Sequence, residues 1–93
     1  MMEIVKVLRV EAIGDYRVRL LFSNGMGGVR DFREMVDAGG AMVAPLADAM
    51  FFDRVFVQNG VPTWPNGFDL DAIALFQDMQ AAGLLAPAAV EAV

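Results

Sequence analysis

Trp64-Pro65-Asn66-Gly67-Phe68-Asp69-Leu70-Asp71 is the stretch whose reading decides the fold. Proline presets the second position of a tight turn and glycine suits its last, so the order predicts a turn over Trp64–Gly67. Asp69 then stands where a helix N-cap is expected, its carboxylate able to accept amides of the first turn. Asp71 would lie within that turn and complement the helix dipole. Beyond it, Ala72, Leu75, Phe76 and Met79 follow helical spacing, and Ile73 widens the apolar stripe. Gly83 terminates the helix and Pro87 blocks its resumption. A helix apolar on one side needs a layer to cover.

The layer is written on both sides of that turn. Upstream, Val55, Phe56 and Val57 precede Asn59-Gly60, and Val61 to Trp64 return. A two-residue loop there sets Val57 against Pro62 and Val55 against Trp64. Pro62 has no amide hydrogen, which places the returning strand at an edge. Further back, Tyr16, Val18, Leu20 and Phe22 alternate with Arg17 and Arg19, the period of a half-buried strand. Glu3 to Ile13 alternates imperfectly, since Val7 and Leu8 are adjacent and apolar, so a bulge or a strand covered on both faces is expected. Gly14-Asp15 is read as the turn between these two strands. Asn24-Gly25, the stronger signal for a two-residue type I′ hairpin, sets Leu20 against Val29 and Arg19 against Arg30. That second pairing puts two cations side by side on the outer face, which calls for an anion nearby.

Between the hairpins, Asp31 reads as an N-cap with Glu34 completing a capping box, and Gly39-Gly40 ends a short helix. Pro45 opens another brief helix from Leu46 to Phe52. The expected fold is α+β: a small antiparallel sheet of about four to five strands in two or more hairpins. A C-terminal helix packs on it, with one or two short helices between hairpins. Residues 1–83 form a single domain and 84–93 an alanine-rich tail that needs a surface to rest on.

Composition narrows the function. Hydrophobic residues make up 57% of the 93, above the usual share of about 45–50%. A formal charge of −5 argues against a nucleic-acid binder. With no cysteine and no histidine, disulfide frameworks, thiolate or imidazole metal sites and Cys- or His-based catalysis are excluded. The aspartates do not follow the order of a calcium loop. Gly25-Met26-Gly27-Gly28 lacks the third glycine of a dinucleotide fingerprint, because Arg30 stands in its place. Glu3 and Lys6 interrupt the start before an apolar signal core can form, and no uncharged run suffices to cross a membrane. A cytoplasmic setting is expected.

Cations concentrate early: Lys6, Arg9, Arg17, Arg19, Arg30 and Arg33 precede residue 37, and only Arg54 follows. The candidate interaction residues are Arg17, Arg19 and Arg30 on the sheet, with Trp64, Asn66 and Asp69 at the turn. No catalytic, cofactor-binding or metal-ligating residue is nominated.

The order FSNG, Asp31, the Leu46, Asp48 and Phe51 helix, VFVQNG and then WPNGFDLD resembles the uncharacterised bacterial family catalogued as domain of unknown function 2442. The similarity runs from about Val5 to Phe76. It implies a small α+β fold with antiparallel strands and a helix after the tryptophan turn, and it brings no biochemical activity with it. Some relatives carry a helix-turn-helix domain, and others lie beside a second small protein in a layout similar to toxin–antitoxin pairs. This sequence ends shortly after its final helix, so direct nucleic-acid contact is not expected. The leading expectation is a non-enzymatic protein-interaction module, a homo-oligomer or the partner of another small protein, with no cofactor and no membrane contact. The alternative is a binder of small anionic ligands, or an enzyme built on arginines and carboxylates, with Arg17, Arg19 and Arg30 as the clamp.

Overall fold

Alternation in the second strand survives intact: Val18, Leu20 and Phe22 are buried while Arg17 and Arg19 are exposed. The computed structural model describes residues 4–88, so Glu3 and residues 89–93 of the expected tail lie outside the described residues. Strands β1 (Val7–Gly14), β2 (Arg17–Phe22) and β3 (Met26–Asp31) form an antiparallel meander, and a short strand β6 (Ala86–Pro87) adds to β3. Strands β4 (Phe56–Gln58) and β5 (Val61–Thr63) form a second, two-stranded sheet. Helices α1 (Arg33–Ala38) and α2 (Ala49–Phe52) lie between the sheets in sequence, and α3 (Ala72–Ala81) follows them. The protein is α+β, as its sequence predicts.

In β1 the expected bulge is present: register shifts between Val7 and Arg9. Val7 is buried, Leu8 and Arg9 are both exposed, and Val10 turns back inward, so one extra residue resets the alternation. The turn that follows is centred on Asp15-Tyr16, not Gly14-Asp15. Gly14 pairs with Arg17, and both residues between them take left-handed φ, 56° and 61°. A second register shift between Ala12 and Gly14 inserts the residue that moves the turn along.

The Asn24-Gly25 loop is also longer than two residues. Leu21 pairs with Gly27, and the Gly25 amide donates to the Phe22 carbonyl at 3.0 Å with Gly25 at φ 87°. This is a tight turn followed by a left-handed glycine, the three-residue alternative for a hairpin. The one-residue difference changes every pair: Leu20 opposes Gly28, Arg19 opposes Val29 and Val18 opposes Arg30. Arg30 therefore shares the buried face of Val18, opposite the face that carries Arg17 and Arg19.

Asn59-Gly60, by contrast, closes the two-residue loop expected of it, with both residues left-handed and Val57 against Pro62. The returning strand ends its two-stranded sheet, as expected, but its outer side is not bare. Residues 68–70 run along its other side: Trp64 donates to the Phe68 carbonyl, Leu70 to the Pro62 carbonyl, and Thr63 bridges Asp69. Pro62 has no amide to give back, so the pairing does not extend past it.

That added run displaces the helix start. Asp69 is held in extended pairing with Thr63, and the N-cap of α3 is Asp71, whose carboxylate accepts the Ala74 amide at 3.1 Å. The apolar stripe is as expected: Ala72, Leu75 and Met79 are buried, and Ile73 and Phe76 half-buried. At its other end Gly83 is left-handed, and the amides of Gly83 and Leu84 return to the carbonyls of Gln80 and Met79. These paired bonds close the helix and aim the chain back at the sheet.

Two further N-caps differ from expectation. Phe32, not Asp31, caps α1, because β3 pairing continues through Asp31 and the Phe32 amide is taken by the Tyr16 carbonyl at 2.8 Å. Asp31 still accepts the Arg33 amide, at 2.8 Å. The Leu46–Phe52 helix is divided into a 3-10 turn (Ala44–Ala47) and α2, with Asp48 between them accepting the Met50 amide.

The core is aromatic at its centre. Trp64 is fully buried among Phe32, Phe52 and Phe68, with ring centroids 5.6 to 6.4 Å apart. Phe22, Leu46 and Met79 are also buried without measurable exposure. Of the seven phenylalanines only Phe56 is exposed, at 39%, and the others are buried or half-buried in the core.

Candidate protein-docking edge

Strand order β1-β2-β3-β6 leaves β1 as the outer strand of the larger sheet. Its start is occupied, because the Val7 amide donates to the Gly60 carbonyl at the tip of the second hairpin, 2.8 Å away. The second hairpin, β4 and β5, lies close beside β1, but from Leu8 to Ala12 no described strand is hydrogen-bonded to it on the side away from β2. Leu8 is 58% exposed, and Ile4, just before the strand, 72%. An unpaired strand edge offers a row of amides and carbonyls to an added strand, and exposed apolar side chains beside it supply contact area.

Among the described residues no element packs over the face that Arg9, Glu11, Arg19 and Leu21 share. Across it lies an open groove of about 590 Å³, floored by Gly27 and bounded by Val29 and Ala86. Its charges are partly matched: Arg19 donates to Glu11 at 2.8 Å, and Arg17 lies 4.0 Å from Asp15. Among the described residues Arg9 makes no ion pair.

The three-arginine clamp is not assembled. Arg17 and Arg19 are outside, but Arg30 lies on the helix side, 3.6 Å from Asp78 of α3 and over the Phe32 ring at 5.5 Å. One register step separates the expected arrangement from the observed one, because side chains alternate faces.

The turn residues each make contacts within the fold. Trp64 is inaccessible and its indole nitrogen donates to the Phe52 carbonyl. Asn66 is used at both ends of its amide: Nδ2 donates to the Met42 carbonyl at 2.9 Å and Oδ1 accepts the Phe68 amide at 3.3 Å. Asp69 is exposed, with its backbone in the bridge to Thr63. Nothing local in the sequence marks Leu8, Arg9 and Glu11 as site residues. The broken alternation at Val7-Leu8 marked the bulge, yet only strand order shows which strand ends the sheet.

The family model described as "Protein of unknown function (DUF2442)" matches residues 7–81, and the chain belongs to that family. No curated protein and no solved structure matches it. Among the described residues no helix is long and apolar enough to cross a membrane, and no three acidic, cysteine or histidine side chains are grouped to hold a metal ion.

Proposed function

We propose that this domain is a non-enzymatic protein-interaction module of the bacterial cytoplasm, and that it docks another polypeptide along β1. The carrying observation is that, among the described residues, no strand is hydrogen-bonded to Leu8–Ala12 on the side away from β2, with Leu8 and Ile4 exposed. Main-chain pairing at such an edge gives affinity, and the side chains beside it give selectivity. With Arg30 on the other face, 3.6 Å from Asp78, the anionic-ligand alternative is left with Arg17 and Arg19 only.

The test is purification of the tagged chain from its host beside a Leu8→Glu variant, with the retained mass measured. Leu8 is exposed, so the change leaves the core intact. A polypeptide held by the native chain and lost by the variant supports the reading. A native chain that is monomeric and alone in every preparation contradicts it.

A further inference from the structure

The open run on β1 is bounded by Val7, whose amide is taken by Gly60, and by the irregularity that leads into Gly14. Its middle residue is Val10, and Val10 is flanked by charges of opposite sign, Arg9 and Glu11. Charged side chains on an edge strand normally repel a second copy. Here their order makes the edge complementary to itself. We infer that two copies of this chain pair antiparallel along β1 about a two-fold axis at Val10, forming one continuous sheet. The inference rests on the reading of β1 as a docking edge and adds the identity of the occupant.

Charge selects the register. With the axis at Val10, Arg9 of each copy opposes Glu11 of the other. An axis at Arg9 or at Glu11 would set like charges directly against each other, which destabilises a cross-strand pair. Glu11 already accepts from Arg19 of its own chain at 2.8 Å, so a second guanidinium from across the axis would complete a row of alternating charge on the outer face. Arg9, which makes no ion pair among the described residues, would gain its carboxylate. A two-fold contact of this kind is self-limiting, since each edge is consumed by the other.

Sedimentation equilibrium of the full chain tests this, with circular dichroism on each variant to confirm folding. The native chain should show twice the protomer mass. Arg9→Glu and Glu11→Arg should each sediment as monomers, because each sets like charges across the axis. Mixing the two variants should restore the dimer, since every cross-axis pair is then again of opposite sign. A monomeric native chain, or single variants that dimerise as the native chain does, would overturn the inference. A monomeric native chain that still binds a different protein along β1 would also overturn it while leaving the docking reading in place.

Discussion

The indole nitrogen of Trp64 donates to the main-chain carbonyl of Phe52 at 2.9 Å, with neither residue more than 1% exposed. This contact ties the tryptophan turn to the end of α2, and the buried indole does it without leaving a polar atom unpaired. Replacing Trp64 by alanine should cost about 3–5 kcal/mol, the range for large aromatic truncations in a core. Trp64→Phe keeps a six-membered ring but removes the indole donor, leaving the Phe52 carbonyl only the longer 3.3 Å bond from the Val55 amide, and should cost less, about 1–3 kcal/mol. Urea unfolding of both variants checks the order.

Asp69 and Asp71 separate two accounts of where α3 begins. Asp71 accepts the Ala74 amide, whereas Asp69 is exposed and its backbone pairs with Thr63. Asp71→Ala should therefore lose about 0.5–2 kcal/mol, the range for an N-cap. Asp69→Ala should stay within about 0.5 kcal/mol of the native chain, as surface substitutions away from such features do. Equal losses would show that the cap is not at Asp71.

Gly28 lies on the inner face of β3, where a β-carbon would collide with the Leu84 carbonyl and meet Met79 Cε at 3.3 Å. Backbone on one side and a buried methionine on the other leave little room to yield. Gly28→Ala should destabilise by about 1–3 kcal/mol, as overpacking does. It should also speed amide exchange at Ala88, whose amide bonds to the Gly25 carbonyl.

Tyr16 holds a left-handed φ of 61° while its ring packs edge-on against Phe52 and its hydroxyl donates to the Ala47 carbonyl. Any L side chain pays for that backbone, and glycine does not. Both truncations lose the ring and the hydroxyl. Thermal unfolding should nonetheless find Tyr16→Gly more stable than Tyr16→Ala by about 1–2 kcal/mol, the left-handed penalty, the reverse of their order in ordinary strands.

Local chemistry was legible where one residue decides it. Asn59-Gly60 gave the β4–β5 register directly, and the spacing from Ala72 to Met79 gave the buried stripe of α3. Asn24-Gly25 misled because the same dipeptide closes a two-residue and a three-residue loop, and that single step carries Arg30 through the sheet to Asp78. Asp69 looked like a cap because nothing local shows that residues 68–70 pair back onto β5. The docking edge depends on strand order, which is set by contacts between residues far apart in the chain and has no local signature.

The central claim is that β1 is the edge where this domain meets another polypeptide. Residue-resolved hydrogen exchange tests it most directly, comparing the chain purified under native conditions with the same chain diluted to a single protomer. The account predicts slower exchange at backbone amides between Leu8 and Ala12 in the native preparation, and unchanged exchange in α3. Identical exchange along β1 in the two samples would contradict it.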